Sequence, residues 1–274
     1  MRPTRIRDNN MKKLFYYFGI CLILSSCAPS IYYQMYQTKP ISDDIKVYEN
    51  KLVYEDDNCT ILYDFWGEFG NAGFLIYNKS SENIYLHLDK CFYINNGYAY
   101  DYYQNRIYNN KVIELSELSQ NTTHSVSHIE TFLTDVSEIK NKTICIPPKT
   151  VKEITEYEIS KVLYLNCDLN YKVMLEVNNS VSFNQKDSPY VFSNRLVYSI
   201  GESDELHHIK NEFYVSKITN YSSDDIVKYV NVKDCANKGT KSVSIIKESG
   251  PDRFYIKYEF DSQTNDIKIV KDPQ

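Results

Sequence analysis

Short segments rich in tyrosine and β-branched residues recur along this chain, with turn-forming residues between them. In the first half they occupy residues 51–55, 59–66, 74–77, 84–88, 91–94 and 98–103. The Asn96-Gly97 step between the last two favours a tight two-residue hairpin turn. Strands spaced by about ten residues are typical of antiparallel sandwiches and barrels. The sequence therefore predicts a mostly β protein, with an antiparallel, immunoglobulin-like sandwich over residues 45–160.

Residues 161–274 are expected to form a β-rich second part that packs on this sandwich. Residues 107–142, which are rich in Ser, Thr and Asn, are interpreted as an insertion between strands. Ser223 is predicted to cap one or two helical turns at 224–230. The remaining elements expected in this half are strands at 171–177, 188–192, 195–200 and 212–219, an edge strand at 267–270, and a closing hairpin of 242–248 with 253–260.

The amino terminus carries a secretion signal of the lipoprotein type. Lys12 and Lys13 precede an apolar run at residues 14–24, and Leu24-Ser25-Ser26-Cys27 follows as a lipobox. A membrane-spanning helix needs about 20 apolar residues, and this run is roughly half that length. The order of charges, apolar core and small residues instead predicts a signal peptide over residues 1–26, with Met11 as the true start. We expect cleavage before Cys27 and acylation of its thiol.

The expected mature chain is acidic. Removing residues 1–26 takes away five basic residues and one acidic residue, which changes the net charge from −5 to −9. Such a body is poorly suited to nucleic acid, and it offers no overall attraction to an anionic membrane. Residues 27–44, with Pro29 and Pro40, are interpreted as a tether that holds the body just clear of the lipid headgroups. The membrane is therefore expected as a partner through the lipid on Cys27 alone.

Tyrosine is the most conspicuous residue type, with 26 tyrosines beside 12 phenylalanines and a single tryptophan. Tyrosine favours half-buried strands because its ring packs while its hydroxyl reaches water. The tyrosines are spread along the chain, which favours this role over a single sugar-binding platform. The candidate ligand-contact aromatics are Trp66, Tyr100, Tyr102 and Tyr103.

Five cysteines follow Cys27, and their odd number leaves at least one thiol free or paired with another chain. None of them shows a metal-ligand spacing. Cys91 and Cys145 lie in apolar runs and are expected to be buried thiols. The pairing of the five is left open: Cys59, Cys91, Cys145, Cys167 and Cys235.

The stretch at residues 77–97, together with Tyr100-Asp101-Tyr102-Tyr103, resembles the uncharacterised lipoproteins of Bacteroides-type bacteria. The segments 146–148 and 213–216 fit the same resemblance, which covers most of the mature chain. Its motifs are strands and turns, so it implies no catalytic residue. The surface-export pattern that goes with it requires acidic residues just after the acylated cysteine, whereas Ala28-Pro29-Ser30 follows here. The resemblance therefore implies an outer-membrane lipoprotein that faces the periplasm.

Candidate catalytic and metal-binding groups are sparse. Asp64 and Glu68 flank Trp66 and are weighed as a glycosidase pair, although strand-end carboxylates beside a core tryptophan are the simpler interpretation. Asp101 is expected to pair with Arg106. The other pairs considered are His124 with His128, as a metal pair or a solvated loop, and His207 with His208, on opposite strand faces.

No nucleophile elbow, phosphate-binding loop or dinucleotide fingerprint is present in the sequence. We therefore expect no enzymatic activity and no cofactor. The leading hypothesis is a lipid-anchored envelope protein that binds or scaffolds another envelope protein. The alternative is a glycan-binding lipoprotein of a polysaccharide-utilisation system, and a hydrolase around Asp64 and Glu68 is the third.

Overall fold

The computed structural model describes residues 30–48, 51–104, 141–172, 179–234, 239–261 and 264–271. In these ranges the protein is mostly β, as predicted, with antiparallel sheets and a single-turn α-helix. No helix in them is long and apolar enough to cross a membrane. The elements are β1 (Ser30–Pro40), β2 (Ile45–Tyr48), β3 (Lys51–Glu55), β4 (Cys59–Tyr63), β5 (Phe74–Asn78), β6 (Ile84–His87), β7 (Phe92–Asn95), β8 (Tyr98–Asp101), β9 (Thr143–Ile146), β10 (Val151–Ile154), β11 (Ser180–Ser182), β12 (Val191–Ile200), β13 (His207–Ser222), α1 (Ser223–Ile226), β14 (Val227–Asp234), β15 (Gly239–Ile246), β16 (Arg253–Phe260) and β17 (Ile267–Ile269).

The largest sheet contains strands from both halves of the sequence. Its main path runs β17-β16-β1-β13-β12-β6-β9, and β7, β8 and β11 join it at the sides. β6 and β7 from the first half both pair antiparallel with β12 from the second half. The sequence predicts that the sandwich ends at residue 160 and that a second part packs on it. The large sheet does not follow this division, because it combines strands from both sides of residue 160.

A smaller sheet packs across this one. Its order is β10-β5-β4-β3-β2, and every second residue of β4 and β5 is buried. Rings from both sheets meet between them: the Phe65 centroid lies 4.8 Å and the Tyr63 centroid 5.0 Å from that of Phe213. A buried hydrogen bond from the Tyr63 hydroxyl to Asn211 Oδ1 also joins the layers at 2.8 Å. This arrangement is consistent with a β-sandwich.

The tether predicted over residues 27–44 is wrong for most of its length. Ser30–Pro40 form β1, a central strand that pairs with β13 on one side and β16 on the other. Tyr32, Tyr33, Met35 and Tyr36 are all buried, because both faces of this strand are covered. A strand buried on both faces lacks the alternation of polar and apolar residues that marks a half-exposed strand. The prolines taken as signs of a tether flank or end the strand, where proline is tolerated.

The predicted closing hairpin is also wrong. Its first half, β15, pairs with β14, whereas β16 pairs with β1 and β17. β16 carries buried Phe254, Ile256 and Tyr258 and lies between β17 and β1 in the large sheet, where these side chains are covered. Next to it, α1 begins one residue earlier than expected, since Ser222 Oγ accepts the Asp225 N–H at 3.2 Å.

The hairpin of β7 and β8 follows the sequence prediction. Asn95 pairs with Tyr98, and the two residues between them turn the chain. Asn96 and Gly97 have φ values of 49° and 84°, the pair of positive angles that a type I′ turn requires. This tight turn sets the register in which Tyr93 stands opposite Tyr100.

The four cysteines that the structure describes are free thiols. Cys91 is buried as predicted, but Cys145 is exposed, so that part of the prediction is wrong. Burial raises the pKa of the Cys91 thiol to about 12. Burial, followed by the neighbouring Asp56 carboxylate, raises the pKa of Cys59 still further. Neither buried thiol is therefore a reactive nucleophile at neutral pH.

Several sequence predictions fall outside the described residues. The predicted strand at 171–177 is only partly described, and Tyr171 and Lys172 are not in a strand. The other predictions outside these ranges concern the signal peptide, Cys27, Arg106, the insertion from 107 to 140 with His124 and His128, and Cys235.

Candidate functional site

A wide cleft lies beside the β7–β8 hairpin. It has a volume of about 900 Å³ and lies between that hairpin, the segment at residues 67–71 and the chain that follows β10. We call it the tyrosine cleft, and its lining residues include Glu68, Tyr93, Asn95, Tyr100, Tyr157 and Tyr190.

Three tyrosine rings form the wall of the tyrosine cleft. Tyr93 stacks on Tyr157 with ring centroids 5.2 Å apart and on Tyr100 at 6.0 Å. Tyr157 is held in place because its hydroxyl donates to the Asp101 carbonyl and accepts from Gln104 Nε2 at 2.8 Å. Tyr100 is 45% exposed and lines the cleft, so much of its surface is open to solvent. The wall is therefore a fixed aromatic surface with one open ring.

Two buried polar atoms lie in residues beside the cleft, and neither makes a hydrogen bond of normal geometry. They are the Tyr93 hydroxyl and Asn95 Oδ1. The Asn95 amide is oriented by its nitrogen, which donates to the Ile159 carbonyl at 2.8 Å. Burial, and secondarily the charge of Tyr100, raise the pKa of Tyr93 above its ordinary value, although a side-chain hydrogen bond with Asn95 lowers it, so the hydroxyl stays protonated at neutral pH. Because both atoms are closed to solvent, the half-exposed Tyr100 ring is the part of the wall that the cleft offers to a ligand.

The charge of the tyrosine cleft is negative. Glu68, Glu156 and Glu158 line it, and Lys161 is the basic residue among the described lining residues. Lys161 Nζ lies 3.5 Å from Glu158 Oε2, so that pair is locally neutral. Three carboxylates beside one basic residue disfavour an anionic ligand and favour a neutral or cationic one.

The structure separates the four aromatics predicted as ligand contacts. Tyr100 is the one that lines the tyrosine cleft. Tyr102 is buried behind it, and its hydroxyl donates to Asn194 Oδ1 at 2.6 Å. Tyr103 is half-buried, with Lys142 Nζ 5.8 Å from its ring centroid. Trp66 packs on Tyr255 at 5.4 Å, at the edge of two smaller cavities.

Sequence reasoning missed Tyr93, Asn95, Tyr157 and Tyr190. The register of the predicted hairpin contained the signal for Tyr93, which is paired with Tyr100 across the Asn-Gly turn. Asn95 is two residues further along the same strand and therefore on the same face. Tyr157 and Tyr190 come from distant parts of the chain, and no local pattern points to them.

The structure does not bring the proposed glycosidase carboxylates into one cleft. Asp64 lines a smaller cavity of about 270 Å³, and its Oδ1 accepts the Trp66 N–H at 3.1 Å in a local turn. Glu68 lines the tyrosine cleft. Glycoside hydrolysis requires two carboxyl groups on either side of the same bond. This pair therefore gives no support to a hydrolase.

The histidine pair on β13 follows the prediction of opposite faces. His207 is half-buried and stacks on Tyr198 with ring centroids 4.9 Å apart, whereas His208 is exposed. In the described ranges no group of three or more His, Cys, Asp or Glu residues is placed to hold a metal ion.

Comparison with known families, characterised proteins and solved structures finds no match to this chain. The resemblance to Bacteroides-type lipoproteins therefore stays a prediction.

Proposed function

We propose that this protein is a lipid-anchored protein of the bacterial envelope that binds its partner without catalysing a reaction, and that the partner binds in the tyrosine cleft. The observation that carries the binding site is the stacked wall of Tyr93, Tyr100 and Tyr157, in which the Tyr100 ring is 45% exposed along the cleft. The lipobox ending at Cys27 supports the anchor. The fold part of this proposal is an immunoglobulin-like sandwich, supported by two antiparallel sheets around one aromatic core.

The first candidate partner is an extended segment of another envelope protein. The lining of the tyrosine cleft, with three glutamates and one lysine, is acidic and suits a segment that carries basic side chains. Cationic groups also bind favourably over tyrosine faces. This candidate corresponds to the binding or scaffolding role expected from the sequence.

The second candidate partner is a neutral glycan. The half-exposed Tyr100 ring offers a flat apolar surface on which a sugar ring can pack. The carboxylates of Glu156 and Glu158, which are exposed along the cleft, can accept hydrogen bonds from the hydroxyl groups of a sugar. A glycan array and pull-down with the purified protein from solubilised envelopes separate the two candidates.

Changing Tyr100 to alanine is expected to weaken binding of the identified partner. Exposed tyrosines at the centre of an interface commonly contribute about 2 kcal/mol or more, which corresponds to roughly a 30-fold loss of affinity. Isothermal titration with the glycan or peptide that the screens identify measures this loss. Tyr98→Ala is the matched control, because Tyr98 is on the same strand and 72% exposed but does not line the cleft. Equal affinity losses for both variants would contradict a site in the cleft.

Changing Cys27 to alanine is expected to release the protein from the envelope membrane. Without the thiol no diacylglycerol can be attached, and several acyl chains are what make such anchoring stable. Membrane fractionation, with labelled palmitate incorporated into the parent protein, measures the effect. Cys145→Ala is the control, since this exposed thiol lies far from the lipobox in sequence. Retention of Cys27→Ala at the level of the parent would reject the anchor.

The periplasmic orientation expected from the sequence is kept as part of the proposal. It rests on Ala28-Pro29-Ser30, which follow Cys27 in place of an acidic cluster.

A further inference from the structure

The β14–β15 hairpin forms a sheet of its own that pairs with neither large sheet. It is joined by eight residue pairs, from Val227↔Ile246 to Asp234↔Gly239. Its base packs on the body, where Val227 and Ile246 join an apolar cluster with Tyr33. Tyr229 lies next on the same face and is already 73% exposed. The hairpin therefore leaves the body after its first residue pair, and a lone two-stranded hairpin has little stability in water.

The two faces of this hairpin differ in character. Residues directly opposite each other in an antiparallel pair lie on the same face. One face carries Val230, Val232, Val243 and Ile245 with Lys228 and Lys241 at its ends, and we call it the aliphatic face. The other carries polar residues such as Asn231 and Ser242. Val227 and Ile246, on the opposite face, pack against the body, so the aliphatic face is turned away from it beyond the base. At the base itself, Ile245 also lines a small cavity with Tyr33 and Trp66.

The aliphatic face is open to solvent. Val232 is 42% and Ile245 is 43% exposed, and both flanking lysines are exposed. A contiguous apolar stripe on a surface hairpin marks an interaction surface. In the described residues, no other strand pairs with β14 or β15.

The charge of the hairpin is opposite to that of the body. Residues 227–246 contain four lysines and one aspartate, whereas the chain from Cys27 onwards carries a net charge of −9. Basic residues beside exposed aliphatic side chains favour an anionic surface with an apolar interior. A second copy of the same face would bring lysines against lysines, which is unfavourable.

The hairpin base lies close to the predicted acylation site. Only Ala28 and Pro29 separate Cys27 from β1, and three extended residues span at most about 11 Å. Ile31, the second residue of β1, packs in the same cluster as Val227 and Ile246. If Cys27 is acylated, as proposed above, the base of the hairpin is held near the bilayer surface.

We propose that the aliphatic face lies on the anionic lipid surface in which the protein is anchored. Lys228 and Lys241 contact lipid phosphates, and the four aliphatic side chains pack at the level of the headgroups. Membrane attachment through a lipid anchor is strengthened by a second contact of this kind. The hairpin then orients the body on the membrane, a role that a flexible tether alone does not supply.

The test uses the mature chain from residue 27, made with Cys27→Ser so that no lipid is attached and every described residue is kept. Co-sedimentation with vesicles of phosphatidylglycerol and phosphatidylcholine should show binding that falls with added salt, and weaker binding to phosphatidylcholine alone. Each lysine near an anionic surface contributes about fivefold to binding, so Lys228→Gln with Lys241→Gln should weaken it roughly 25-fold. Ile245→Ser should weaken binding without changing the salt dependence.

The matched control is Lys46→Gln with Lys152→Gln, which makes the same change in net charge on the small sheet. This control should bind like the parent. Binding that is absent, equal on both lipids, or weakened as much by the control would overturn the proposal. A dimer in sedimentation velocity that the hairpin variants dissociate, without vesicle binding, would instead assign the face to a second copy. Because no acyl group is present, these outcomes are independent of the Cys27→Ala and Tyr100→Ala results.

Discussion

Raising the pH above about 10 should unfold this protein cooperatively, because its core contains many neutral tyrosines. Six of them are almost fully buried, and burial is the main cause that raises each of their pKa values. They are Tyr36, Tyr63, Tyr93, Tyr102, Tyr198 and Tyr258. Below the pKa of tyrosine in the unfolded chain, both states keep these protons and stability does not change. Above it, only the unfolded chain loses them, so stability falls as the pH rises.

The size of this effect is large. For each group that stays protonated only in the folded state, the free energy of unfolding falls by about 1.4 kcal/mol per pH unit above the pKa in the unfolded chain. Three such groups alone, for example the fully buried Tyr36, Tyr63 and Tyr258, therefore lower the free energy of unfolding by about 4 kcal/mol for each pH unit. Domains of this kind have a total stability of about 5–15 kcal/mol. Unfolding is thus expected within a few pH units above the ordinary tyrosine pKa.

Phenolate absorbance and far-ultraviolet circular dichroism, followed together during an alkaline titration, measure this transition. Phenolate absorbance should rise in two phases, and the strand signal should stay unchanged during the first. The buried tyrosines should ionise in the second phase, in a steep step that coincides with loss of the strand signal. The same titration in concentrated urea is the control and should show one ordinary transition. Complete ionisation with the strand signal intact would contradict the assignment of these rings to the core.

Replacing Phe213 with alanine should destabilise the protein by about 3–5 kcal/mol, the usual range for a large aromatic in a core. Phe213 is fully buried and stacks on Phe192 with centroids 5.5 Å apart. It also meets Tyr63 and Phe65 edge-on, so its ring joins the two sheets. Removing it leaves a cavity that several rigid rings cannot all fill.

In urea unfolding, this loss of stability should appear as a lower urea concentration at the midpoint. The dependence of the unfolding free energy on urea should not change. Tyr48→Ala is the control, since Tyr48 is 64% exposed on β2 and its loss should change stability by no more than about 0.5 kcal/mol. A midpoint for Phe213→Ala equal to that of the control would show that the contact between the sheets does not depend on this ring.

The strands of the first half and the β7–β8 turn were predictable because their signals are local. The strand at residues 51–55 matches β3, and 74–77 matches all but the last residue of β5. The Asn96-Gly97 pair adopts the positive φ angles that its residue types allow at low cost. By contrast, the sequence predicts a tether where β1 lies, because a strand buried on both faces lacks the alternation of polar and apolar residues that marks a half-exposed strand.

The candidate site was predictable only in part, for the same reason. Tyr100 was identified from the tyrosine-rich stretch that contains it, and Tyr93 follows from the hairpin register. Tyr157 comes from beyond β10, and its position beside Tyr93 depends on how the small sheet packs against the large one. Trp66 and Tyr102 were grouped with Tyr100, but they pack in different parts of the structure.

The amino-acid sequence by itself determined the mostly β, antiparallel character of the protein and the turn at Asn96-Gly97. These features depend on side-chain propensities and steric limits that act within a few residues. Only the tertiary structure decided that β1 is central, that β15 pairs with β14 instead of β16, and that three tyrosines form one wall. Those features depend on which surfaces bury each other across long chain separations, and a periodic pattern in one segment holds no information about its distant partner.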